Sequence, residues 1–247
     1  MSLPAIPSMA LQAGFIVLAL ILGAWWVLAV GRAYAREGTE RWNTSKALVG
    51  FSVLLLWGLF LLGVSQQQWV HEFNSFPPPA LRVFIVLLFI TAIIAFSPIG
   101  RKLAAGLPLI WLVGFQVFRL PTELLIHQAA TAGIAPMEMT FQGRNFDIIT
   151  SVLALVLVLM LRSGKVPAKL VMGWNVVGLL LLLNMVATAI MAMPHPMQIL
   201  HTTPPNVWVT YFPFILLPGV LVCSALLGHL LVFRALATQR RTKAATA

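Results

Sequence analysis

Residues 152–161 read VLALVLVLML, ten apolar side chains in succession with no polar residue among them. A strand with one face in lipid and one in a polar lumen would alternate with period two, so this run excludes a transmembrane barrel and points to a helix. A helix needs about 20 apolar residues to cross a hydrocarbon core about 30 Å thick. Working outward from this run, the same reading finds seven long apolar stretches, near 11–31, 47–65, 81–97, 103–127, 146–161, 170–193 and 207–233. The composition agrees: 60% of the 247 residues are hydrophobic and 9% charged, against about 45–50% and about 25% in a soluble domain. The expected fold is all-α, a polytopic integral membrane protein whose residues 1–247 form a single seven-helix domain. The longest connection, 128–145, is too short for a soluble domain.

The charges set the expected orientation. Arg32, Arg36, Arg41 and Lys46 follow the first span, Arg101 and Lys102 the third, Arg162, Lys165 and Lys169 the fifth, and Arg234, Arg240, Arg241 and Lys243 the last. Only Arg82, Arg119 and Arg144 fall on the alternate sides. Cations concentrate in cytoplasmic loops, so the N-terminus is expected outside and the C-terminus in the cytoplasm, in a cell membrane. The net charge of +10 then reflects topology and an attraction to anionic headgroups; no basic cluster is interleaved with stacking aromatics, which excludes nucleic-acid recognition. Ala33-Tyr34-Ala35 resembles a signal-peptide cleavage site, but no Lys or Arg precedes Arg32, so the first span is expected to be a retained helix.

Composition excludes several chemistries. The single cysteine, Cys223, allows no intrachain disulfide. All five lysines lie at the cytoplasmic ends or in connections, which excludes a retinal Schiff base within the bundle. No phosphate-cradling glycine loop is present, and a bis-histidine haem would need a partner for His229 at its depth.

The remaining polar residues gather on the other half. Glu72, Glu123, Glu138, Asp147, His71, His127, His195 and His201 all fall outward. In the fourth span Gln116, Arg119, Glu123 and His127 stand at offsets 0, 3, 7 and 11, on one helical face. Charges at mid-membrane cost about 2.5–3.5 kcal/mol each on insertion scales, so these groups are expected to face protein or water. The plain structural alternative is an i,i+4 pair between Arg119 and Glu123 that locks the bundle. Pro121 removes a backbone donor and is expected to perturb the stripe. A second stripe, Asn184, Thr188, Met191 and His195, ends at Pro194 and Pro196; its alternative is interhelical hydrogen bonding. Asn145 suits an N-cap and Asp147 a first helical turn. The Arg144 cation, opposed by the same helix dipole, is expected beside Glu123 or Asp147.

Three chemistries suit these residues. Glu123 and His127 at i,i+4, completed by His195 or His201, resemble an open zinc site. Glu123, His127 and Asp147 suit acid–base work, with Arg119, Arg144, Asn184 and Gln116 binding a ligand such as a lipid headgroup. Met137, Met139, Met191, Met193 and Met197 around His195 and His201 suit Cu(I), although methionine is also common apolar filler. Asn175, Ser224 and His229 are the only inner polar candidates and are divided between two spans, so the site is expected to be closed toward the cytoplasm, against alternating-access transport.

The expected function is therefore an outward-facing polar pocket, built by spans four to seven, that binds a small polar ligand, a lipid headgroup or a metal, with groups able to act on it. The rival class is a non-catalytic subunit or assembly partner of a larger membrane complex, in which the polar stripes only lock helices. The expected partners are membrane lipids and other membrane chains.

Overall fold

The computed structural model describes residues 2–36, 44–164 and 166–245. Arg41 and Lys165, two of the orienting cations, lie outside the described residues, as do the side chains of Arg240, Arg241 and Lys243. Among the described residues every regular element is helical: α1 (Met9–Arg36), α2 (Thr44–Ser65), α3 (Pro79–Phe96), α4 (Pro98–Gly106), α5 (Leu109–Phe115), α6 (Arg119–Thr131), α7 (Ile148–Ser163), α8 (Ala168–Met191) and α9 (Cys223–Ala245), with short 3₁₀ and π turns between them. Six helices are long and apolar enough to cross a membrane: Met9–Arg36, Thr44–Ser65, Pro79–Phe96, Leu109–Thr131, Ala168–Met191 and Leu217–Thr238. The remaining apolar run, the fifth in chain order, forms a helix of only 16 residues, Ile148–Ser163.

Two expected spans are divided. The run from 103 breaks before Pro108, which caps α5, so Leu103 belongs to the separate short helix α4. The crossing helix is Leu109–Thr131, passing through a 3₁₀ turn at Gln116–Phe118. That turn contains Val117, whose carbonyl would have accepted from residue 121, where Pro121 has no N–H. The run 207–233 likewise starts as irregular chain; Pro218 lies in a π turn, Leu217–Val222, before α9 proper. Trp57 Nε1 donates to the Gly219 carbonyl there, 3.1 Å away.

Near the N-terminal end of α1, Phe15, Trp208 and Phe214 stack at centroid distances of 5.1–5.8 Å, all three fully buried. The connection 192–216 thus folds into the bundle and fills it with aromatic carbon. At the other end Arg234 donates to the carbonyls of Ala95 and Ser97, capping α3, and Arg36 donates to Gly106 O at the close of α4. α2 stands apart: only Leu61 and Ser65 are buried along its 22 residues.

Candidate functional site

The connection between α6 and α7 does not stay at the surface. Ile134, Ala135, Met139, Thr140 and Asn145 are all buried, and the chain descends beside α6 in a matched order. Phe141 lies against His127, with ring centroids 4.7 Å apart. Asn145 Nδ2 donates to both oxygens of Glu123, at 2.9 and 2.8 Å, and to Met139 O at 3.0 Å. Asp147 meets Arg119. On α6 the steps from 127 to 123 to 119 drop about 6 Å each. The segment re-enters the helical bundle and is held to α6 side chain by side chain. Irregular backbone at such depth is tolerated only where protein or water satisfies it.

The ion pair is two-pronged. Arg119 Nε donates to Asp147 Oδ2 at 2.6 Å and Nη2 donates to Oδ1, with both side chains buried. The parallel-fork geometry is the strongest an Arg–carboxylate pair adopts. Asp147, rather than the expected Asn145, occupies the N-cap position of α7; its side chain makes no capping hydrogen bond, but the helix dipole still favours its negative charge there. The expected Arg119–Glu123 pair is corrected accordingly: the guanidinium turns to Asp147, and Glu123 takes Asn145 as its donor.

The third prong of Arg119 reaches inward. Its Nη1 donates to His229 Nε2 at 2.8 Å. A guanidinium can only donate, so Nε2 accepts and the ring hydrogen is on Nδ1. From Nδ1 it goes to Asn175 Oδ1 at 2.8 Å, while Asn175 Nδ2 donates back to His229 O at 3.1 Å. One buried chain of contacts therefore runs Glu123, Asn145, Asp147, Arg119, His229, Asn175, since the Asp147 N–H donates to Asn145 Oδ1 at 3.0 Å. Asn175 and His229, set aside by sequence reasoning as scattered inner groups, belong to the same network. Their only signal was a polar side chain in an otherwise apolar span, and nothing local linked two residues 54 positions apart.

Close approach makes the inner half possible. A Cβ on Gly178 would lie 2.7 Å from His229 Cε1 and from Thr150 Cγ2. One on Gly228 would lie 2.6 Å from Gln116 Nε2, which donates instead to Ala225 O at 3.0 Å.

A cavity of about 20 Å³ is bordered by Arg119, Thr122, Glu123 and Asp147 and lined further by apolar side chains. That is room for about one water molecule. Arg119, Glu123 and Asp147 border this one cavity; His127, His195 and His201, expected to converge with them, do not line it. His127 lies two turns along α6 from Arg119, against Phe141. Arg144 has an exposed side chain, which corrects its expected place beside Glu123 or Asp147, and its carbonyl accepts from Asn184 Nδ2 at 2.7 Å. His195 is buried, but both its ring nitrogens face backbone groups, the Met197 N–H at 3.1 Å and Ile190 O at 3.3 Å. His201 is exposed. Among the described residues no three of His, Cys, Asp or Glu are grouped to hold a metal ion, so His127, Glu123, His195 and His201 do not form the expected ligand set. Met139, Met185 and Met193 line a separate apolar slot with Leu87 and Val209.

Residues 77–237 match a family model described as "Domain of unknown function (DUF8737)". The chain belongs to this family. The matched region of DUF8737 holds every residue of the network, from Arg119 to His229, and begins just before α3, so α1 and α2 lie ahead of it. Comparison with curated proteins and with solved structures found no match.

Proposed function

We propose that this chain is a seven-span protein of the cell membrane, N-terminus outside and C-terminus in the cytoplasm, serving as a non-catalytic subunit of a larger membrane assembly. In this reading α7 is the short seventh span, and the Arg119 network is an internal latch that fixes the re-entrant segment. The observation that carries it is the pairing: Arg119 is consumed by Asp147 and His229, Glu123 by Asn145, and the space left between them is about 20 Å³. A site that binds and turns over a polar ligand keeps groups and volume free for it; this one has spent both on itself. The loosely attached α2, with Gly58 and Gly63 open to any neighbour, suits close approach by a helix from a partner chain.

A second reading has one observation in its favour. Arg119, Thr122, Glu123 and Asp147 do border a common cavity, and a small polar ligand or lipid headgroup would reach them if the re-entrant segment swung outward. Native mass spectrometry of the chain, extracted mildly from its own membrane, separates the two. The subunit reading expects a second polypeptide at fixed stoichiometry, retained by Glu123→Gln. A lone 27.0 kDa chain carrying a small molecule that Glu123→Gln releases would replace it with the pocket reading.

A further inference from the structure

α1, α5 and α7 enclose a second feature, which shares only Phe118 with the latch cavity. An apolar groove of about 430 Å³ runs between them, walled by Trp25, Trp111, Leu155 and Val158. That volume lies within the range of about 300–1,000 Å³ typical of ligand sites. Arg162, the penultimate residue of α7, closes one end of the groove. The guanidinium of Arg32 lies 4.6 Å from the ring centroid of Trp111, one of the groove's own walls. The three helices present these cations at the same end. Arg36, one turn beyond Arg32, donates to Gly106 O just before α5 begins, while Gly114 of α5 lies against Val158 of α7.

Among the described residues Arg162 makes no hydrogen bond or ion pair, and the Arg119–Asp147 pair lies elsewhere in the bundle. Stacking on Trp111 holds the Arg32 guanidinium in place and leaves its N–H fork available. Two forks at the mouth of an apolar channel complement a phosphate carried on a hydrocarbon chain, and basic pockets between spans on the cytoplasmic side recognise anionic lipids in this way.

We propose that the α1–α5–α7 groove is a binding site for an anionic phospholipid, with one acyl chain between Trp25, Trp111 and Leu155 and the phosphate against Arg32 and Arg162. The site uses none of the latch's polar residues Arg119, Glu123 and Asp147.

The test is native mass spectrometry of the full chain in detergent, titrated with phosphatidylglycerol, with phosphatidylcholine, and with inorganic phosphate as competitor. Each cation near a membrane surface is worth about fivefold in affinity. Phosphatidylglycerol retention should therefore fall about fivefold in Arg162→Gln and about 25-fold when Arg32→Gln is added, with phosphatidylcholine little changed. Arg162→Lys should keep most of the binding. Leu155→Trp, which fills the groove and leaves both cations in place, should also weaken it. Arg162 is exposed near a helix end, so its single variant carries the test even if the double variant fails to fold. Equal retention by wild type and Arg162→Gln overturns the proposal, as does an unchanged Leu155→Trp or full displacement of the lipid by inorganic phosphate.

Discussion

Arg119 and Asp147, 28 residues apart in the chain, join through two parallel hydrogen bonds at the point where the re-entrant segment turns into α7. Both side chains are buried, so each makes the other's burial tolerable. Asp147→Asn strands the guanidinium and should cost about 3–5 kcal/mol. Arg119→Gln combined with Asp147→Asn should be milder than the sum of the two. A double-mutant cycle by denaturant unfolding in micelles checks this, and additivity would show that the pair is not coupled. The same cycle on Arg119 and Glu123 should return the smaller coupling.

Asn145 is the other fastening. Its amide serves Glu123 and Met139 O, and its carbonyl serves the Asp147 N–H. Asn145→Ala leaves several buried groups unpaired at about 1–3 kcal/mol each. Hydrogen exchange should then quicken across 134–147 before it quickens in α8; uniform loosening would mean that the segment is held elsewhere.

Gly178→Ala places a methyl group against the His229 ring and Thr150 at 2.7 Å. Both neighbours are buried and one is locked by Asn175, so neither has room to yield. The expected cost is about 1–3 kcal/mol. Gly58→Ala, where nothing lies within 4 Å, is the control and should be neutral in the isolated chain; equal effects would contradict the packing described.

The spans could be read from the sequence because lipid imposes one requirement on each residue in turn, and a run such as 152–161 satisfies it without reference to anything distant. The polar face of α6 was legible for a similar reason, since helical periodicity is local. What Arg119 pairs with was not. Asp147 and Glu123 are equivalent as carboxylates, and i,i+4 spacing argued for Glu123; the choice is made by the descent of 139–147, which places Asp147 rather than Glu123 opposite the guanidinium. Asn175 and His229 escaped for the same reason, each being one polar atom group on its own span. The expected metal set failed on tertiary grounds, because the backbone of 190–197 folds around His195 and occupies its ring.

His71 provides a pH test away from the membrane spans. Its ring stacks on Tyr211 at 4.1 Å, with Nδ1 2.8 Å from Thr210 Oγ1 and Nε2 3.1 Å from Ser65 O. Burial pulls its pKa below the ordinary value of 6.5. A depressed folded pKa means that the neutral ring stabilises the fold; the contribution is complete above about 6.5 and fades as the pH falls toward the folded value. The Tm should therefore drop on acidification below about pH 6.5, and drop less in His71→Asn. An identical pH profile in the variant would remove His71 from the account.

Orientation is checked by labelling. With Cys223 replaced by serine, a cysteine at the exposed Asn74 should react with an impermeant reagent from outside the cell, while a C-terminal tag should be reached only after permeabilisation. The reverse pattern would invert the topology proposed for the chain.

The re-entrant latch also bears on biogenesis. Leu109–Thr131, with a mean hydropathy of 1.5, is the least apolar of the six long spans, and α7, which follows it, is only 16 residues long. Neither is a strong substrate for one-at-a-time insertion, since the first brings a cation into the bilayer and the second falls about 6 Å short of its thickness at 1.5 Å per residue. Delivered together as a hairpin, they enter with Arg119 already neutralised by Asp147. Under the proposed seven-span topology, the contact that shapes the finished protein is then one that forms as these two segments insert.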